Sequence, residues 1–223
     1  MKKLAIILLS ILSVNIVNAQ RKISADETSY SFKSGKQTAI KVIVYETDAK
    51  TVSKKWESLM KDYKAKTSGN KEEVFAENAL IKELNNNNAA DIYAGFIEDK
   101  DGNTLLYVAV DLGGAWLSSS SHKEAYKVMK KITEDFARKV SEETVSDQIK
   151  DAEKVFSGLE SDQKKLMNDN EKLKKDIENY KEKIKKAEED IKTNEGDQEK
   201  KKKEIEDQLK VIEGLKDKKK SIN

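Results

Sequence analysis

A heptad repeat runs in a single phase from Val145 to Ile222, through the last third of the sequence. Its apolar residues recur at steps of three and four, which places them in one narrow stripe along a slightly underwound helix. Such a stripe is buried only when another helix packs against it, so the pattern predicts an interaction surface. The seam of this surface contains Ile149, Phe156, Leu159, Leu166, Asn170, Leu173, Ile177, Tyr180, Ile184, Ile191, Ile205, Ile212 and Leu215.

Two arrangements of this coiled coil, predicted over residues 141–223, fit the heptad phase. One is a continuous rod that pairs in parallel with a second copy. The other is a hairpin that turns near residues 194–202, where Gly196 lies in a weak part of the seam. Asn170 at an a position favours the parallel dimer, because two buried amides can hydrogen-bond across the seam.

The N-terminal residues have the features of a secretory signal. Lys2 and Lys3 precede an apolar run, and small residues end that run at Ala19. We therefore predict a signal peptide over residues 1–19, export to the periplasm or the extracellular space, and no integral membrane span in the mature chain. The polar residues 20–28 predict a flexible lead-in.

Residues 29–140 have the pattern of an α+β domain. Alternating apolar residues predict one hairpin that turns at Ser34-Gly35-Lys36 and a second that turns at Asp101-Gly102, with a further short strand or turn within residues 74–81. Residues 85–88, a run of asparagines, predict a loop.

Two helices complete this domain in the prediction. Asp48 is a suitable N-cap for the first, and Ser121 with Glu124 matches a capping box at the start of the second. The predicted fold class is therefore α+β: a small antiparallel sheet with two helices, followed by a long α-helical coiled-coil tail.

Composition excludes several functional classes. Without Lys2 and Lys3, the mature chain has 43 − 2 = 41 basic residues against 41 acidic residues, so it lacks the positive excess that nonspecific nucleic-acid binding needs. The chain contains no cysteine, and His122 is its single histidine. A Cys/His nucleophilic pair, a cysteine zinc site and a two-histidine zinc helix are thus ruled out, and we predict no catalytic residues, metal or cofactor.

One candidate binding site lies between the last predicted strand and the second helix. Backbone N–H groups at Gly113 and Gly114, with the hydroxyls of Ser120 and Ser121, are suited to an anion or carboxylate, and Trp116 offers a flat apolar surface. The alternative is that the serines cap the helix while Trp116 closes the core.

These patterns predict an exported, non-enzymatic structural or interaction protein of the cell envelope. It would oligomerise with itself, or dock to another envelope protein, through the tail. The signal, the β-containing domain and the long helices resemble periplasmic holdase chaperones of the Skp type, and that resemblance implies an alternative role in holding unfolded clients. A less favoured alternative is an envelope hydrolase that uses His122 or clustered acids.

Overall fold

The computed structural model describes residues 21–84 and 88–222. The signal peptide predicted over residues 1–19 and most of the asparagine loop lie outside the described residues. The chain divides into two units, the first ending at Ala152 and the second beginning at Glu153.

The first unit contains one antiparallel sheet of six strands in the order β1-β2-β6-β5-β4-β3. Two hairpins, β1–β2 and β5–β6, lie side by side because β2 pairs with β6. The strands are β1 (Asp26–Phe32), β2 (Gly35–Val44), β3 (Lys66–Gly69), β4 (Glu73–Ala79), β5 (Ala90–Glu98) and β6 (Thr104–Asp111).

Helix α1 (Ala49–Asp62) connects β2 to β3. Asp48 is its N-cap, as predicted: the Asp48 carboxylate accepts a hydrogen bond from the Thr51 N–H at 2.8 Å. Hydrogen bonds stabilise the ionised form of this carboxylate and lower the pKa of Asp48 below its ordinary value. The bond from the Thr51 N–H has the largest effect. The cap thus fixes where the chain turns from the sheet into the helix.

Helix α2 (Lys123–Lys220) has 98 residues. The predicted capping box of Ser121 and Glu124 at its start is wrong. The N–H of Ser121 donates to the Ser118 hydroxyl at 3.2 Å, and Glu124 forms an ion pair with Lys127. The first turns of α2 pack on the sheet through an apolar stripe of Met129, Ile132, Phe136 and Val140, as the sequence predicted.

The main core lies between both helices and one face of the sheet, which we call the inner face. Trp56 of α1 is fully buried and its ring meets that of Phe136 edge-on, with the centroids 4.9 Å apart. Alternation along the strands directs apolar side chains to this side: Ile40, Val42, Val44, Ile92, Ala94, Phe96, Leu106, Val108 and Val110.

The structure differs from the predicted elements at the edges of the sheet. Strand β1 begins at Asp26, so part of the predicted lead-in belongs to the sheet, and Ala25 is buried in the core. Strand β3 was not predicted, because Lys66–Gly69 carries no apolar alternation and pairs only with β4. The first hairpin turns at Lys33 and Ser34, and Gly35 already belongs to β2.

The second unit consists of the remaining part of α2. The helix is continuous across residues 194–202, the range in which the hairpin alternative would turn. The absence of proline from the chain is compatible with a helix of this length. Acidic residues and lysines three positions apart pair along its surface, for example Glu171 with Lys174 at 2.8 Å, and such pairs contribute about 0.2–0.5 kcal/mol each.

Candidate oligomerisation surface

The seam begins in the first unit, at the point where the apolar side chains of α2 stop packing on the core and become exposed. Up to Thr144 the helix is tied to the domain: the Ser141 hydroxyl accepts the Tyr45 N–H at 2.9 Å. Val145 and Ile149 follow, and both are exposed. They line one side of a cleft of about 420 Å³ whose other side includes Ile23 and Tyr45.

The seam continues through the second unit, and each of its large apolar side chains is exposed in the single chain. The exposed fractions, including those of Val145 and Ile149, range from 40% to 82%. A stripe this long and this apolar is far larger than the scattered surface apolar residues of ordinary monomers. In the second unit it contains Phe156, Leu159, Leu166, Leu173, Ile177, Tyr180, Ile184, Ile191, Ile205, Ile212, Leu215 and Ile222.

Around Gly196, polar residues occupy three consecutive seam positions: Asn194, Gln198 and Lys201. The Gln198 side chain donates a hydrogen bond to the Asn194 side chain at 2.6 Å, and Lys201 pairs with Glu204 at 2.5 Å. These contacts satisfy seam positions within one helix, so this stretch contributes little apolar area to any pairing.

The loop predicted to bind an anion already holds a carboxylate of its own. Oδ1 of Asp111 accepts the N–H of Gly113 at 2.9 Å and that of Gly114 at 3.1 Å. Both glycines have positive φ, which brings these two N–H groups towards the same oxygen. Their N–H groups are therefore engaged within the loop rather than directed to a ligand.

The remaining residues of that predicted site do not converge. Trp116 is half-buried and packs against Tyr93, with ring centroids 5.4 Å apart, on the side of the sheet opposite to the main core. Ser120 and Ser121 are exposed, and the Ser120 hydroxyl lies 3.3 Å from that of Ser118. Trp116 thus closes a second, smaller cluster, which sequence reasoning missed because its members come from four strands and a loop.

The groups considered for chemistry have structural surroundings. His122 is half-buried in the turn before α2, and within the described chain its Nδ1 has no hydrogen-bond partner. Asp99 caps the β5–β6 turn, where it accepts N–H groups of Asp101 and Asn103 at 2.9 Å, and hydrogen bonds from Asn103 lower its pKa. Among residues 21–84 and 88–222, no group of three or more His, Cys, Asp or Glu side chains is placed to hold a metal ion.

Comparison with protein-family models, with curated proteins and with solved structures gave no match to this chain. In the described part of the chain, no helix combines the length and the apolar character needed to cross a membrane.

Proposed function

We propose that this chain is an exported, non-enzymatic protein of the cell envelope that pairs with a second copy of itself through a parallel coiled coil. In this proposal, the tail supplies the interaction and the α+β domain is the module that each copy carries. The observation that carries the proposal is the exposure of the seam side chains in the single chain.

Burial of apolar area is the main energetic gain of pairing. Burying one leucine or isoleucine side chain contributes about 1.5–3 kcal/mol, and the seam offers many of them on one face. Left in water, this face would also be a site for unwanted association. Pairing in register buries the whole stripe at once, and the uninterrupted helix has the geometry that such pairing requires.

The parallel orientation is supported by the residues in and beside the seam. Asn170 at an a position meets its own copy only in a parallel, in-register pair, where the two amides can hydrogen-bond. In the same arrangement Asp169 faces Lys174 of the second copy, and Asp176 faces Lys181, so flanking charges attract. The exception is Asp190, which would face a glutamate next to the polar stretch.

Cysteine cross-linking tests this arrangement cleanly, because the natural chain has no cysteine. In a parallel pair, Leu173→Cys places two thiols opposite each other at a d position, within the distance that a disulfide spans. We expect mild oxidation to give a covalent dimer with full helicity. Lys172→Cys, one residue along on the outer face, is the matched control and should remain monomeric on a denaturing gel.

Other results of these experiments would contradict the parallel dimer or favour a different function. Equal cross-linking of Leu173→Cys and Lys172→Cys would indicate random collision and contradict the parallel seam. A mature chain that stays monomeric at all concentrations would instead favour docking to a different envelope protein. Capture of unfolded clients along the apolar stripe by such a monomer would favour the holdase alternative.

A further inference from the structure

The face of the sheet opposite to the main core, which we call the outer face, carries a continuous aromatic cluster. Tyr30 and Tyr107 stack with their ring centroids 4.3 Å apart, and Phe75 lies 4.7 Å from Tyr93. Contacts at 4.7–6.1 Å connect these pairs into one cluster of Tyr30, Phe32, Phe75, Tyr93, Tyr107 and Trp116. The helices of the first unit pack on the inner face, and the cluster residues other than Phe32 are half-buried.

Small residues form the floor under these rings. Ala39 and Ala109 are buried beneath them, and Gly95 lies so close to Tyr30 that a Cβ atom there would be 2.4 Å from the ring. The absence of a side chain at Gly95 therefore lets the Tyr30 ring approach the backbone of β5 closely. Flat aromatic rings on a rigid sheet are a suitable platform for stacking, since they lose little conformational freedom on binding.

Carboxylates surround this platform. On the outer face Lys66 forms an ion pair with Glu77, and Lys41 is the cross-strand neighbour of Asp26. The carboxylates of Glu73, Asp91 and Asp111 have no ion pair with any described residue. Each of them is held in place by a backbone N–H: that of Lys33 for Glu73, of Asn78 for Asp91 and of Gly113 for Asp111.

Two of these carboxylates oppose each other directly. Asp91 on β5 and Asp111 on β6 are cross-strand partners, an arrangement of like charges that destabilises a sheet. The backbone of Trp116 forms an isolated antiparallel β-bridge with that of Asp111. Tyr93 lies two residues after Asp91, on the same face of β5. Burial first, and then the charges of Asp91, Asp111 and Glu73, raise the pKa of Tyr93. Negative charge therefore lies near the Tyr93 ring.

We propose that the outer face binds a basic segment of another polypeptide, with a guanidinium or ammonium group between Asp91 and Asp111 and against the rings of Tyr93 and Trp116. A cation over an aromatic face and beside a carboxylate gains from both contacts. The Lys41 ammonium already lies 5.9 Å from the centre of the Tyr107 ring, so a cation of the chain itself uses this platform. A second copy of the same face is disfavoured, because its carboxylates would repel these.

The proposal is tested with a defined probe and the full mature chain. The probe is an acetylated and amidated hexapeptide that alternates arginine and serine, and its control is the same peptide with citrulline, which keeps the shape of arginine without the charge. Calorimetric titration at low salt should show binding of the arginine peptide. We expect the citrulline peptide to bind at least about tenfold more weakly.

Isosteric variants locate the site. Asp91→Asn with Asp111→Asn keeps both Oδ1 acceptors, so the sheet should fold, and it should weaken the arginine peptide by about tenfold while raising thermal stability. Glu57→Gln with Asp62→Asn removes the same charge from α1, which packs on the inner face, and should leave affinity nearly unchanged. Tyr93→Leu should weaken the arginine peptide and leave any residual citrulline binding unaffected.

Three results would overturn the proposal. One is equal affinity for the arginine and citrulline peptides, which would remove the role of charge. Another is an equal loss in the two double variants, which would mean nonspecific attraction to any exposed carboxylates of the domain. The third is no binding of the arginine peptide together with binding of a chito-oligosaccharide, which would assign the aromatic face to sugars.

Discussion

Replacing Leu166 by lysine separates a paired seam from a solvated helix. In the single chain the side chains of Leu166 and its neighbour Met167 are exposed to similar extents, 70% and 65%. A helix that functions alone would therefore respond alike to lysine at either position. In a parallel pair, Leu166 occupies a central d position, whereas Met167 occupies a flanking e position where lysine is well tolerated.

The expected magnitude follows from the apolar burial that is lost. Each buried leucine contributes about 1.5–3 kcal/mol, and a homodimer loses two, so Leu166→Lys should weaken the dimer by about 3–6 kcal/mol. That corresponds to a dissociation constant raised about 10² to 10⁴-fold. Met167→Lys should change it by less than about tenfold, because a flanking side chain is only partly covered.

Sedimentation equilibrium over a range of protein concentrations measures both variants, and far-ultraviolet circular dichroism reports whether helix is lost as the pair dissociates. The same association constant for Leu166→Lys and Met167→Lys would contradict a buried seam. Association and helicity of Leu166→Lys that match those of the natural chain would also contradict it.

Three further changes test other parts of the structure. Gly95→Ala should lower the free energy of unfolding by about 1–3 kcal/mol in chemical denaturation, because the new methyl group displaces the Tyr30 ring; an unchanged value would contradict the close packing. Asp48→Asn keeps the cap but removes its charge: since hydrogen bonds from Thr51 lower the folded pKa of Asp48, the advantage of aspartate should be present above about pH 4 and vanish as the pH falls through that lowered pKa. A stability difference between Asp48 and asparagine that grows towards acid would show the wrong sign. Asn170→Ile should raise the melting temperature and admit higher oligomers in sedimentation, whereas a less stable dimer would argue against a parallel seam.

The sequence predicted best those elements whose apolar residues recur with the period of a strand or of a helix. Alternation identified both hairpins, and the spacing of Met129, Phe136 and Val140 identified the part of α2 that packs on the sheet. The cap at Asp48 followed from residue type and position. These features are local, so a single sequence contains the information that determines them.

Pairing between distant strands could not be predicted in the same way. The contact of β2 with β6 depends on how the inner face packs as a whole, and β3 forms because its backbone completes the edge next to β4. The loop at Gly113 and Gly114 was only a candidate anion site, and the sequence does not show that the Asp111 side chain accepts hydrogen bonds from their N–H groups. The aromatic cluster was missed for the same reason, since its residues meet only after the sheet has formed.

Sedimentation velocity of the mature chain, at concentrations spanning at least a hundredfold, is the most direct test of pairing through the seam. A reversible change from monomer to dimer as the concentration rises, with helicity that increases in step, is the result expected from burial of the apolar stripe. A single monomeric species throughout, fully helical at every concentration, would show that the stripe stays in water and would contradict the proposed coiled coil.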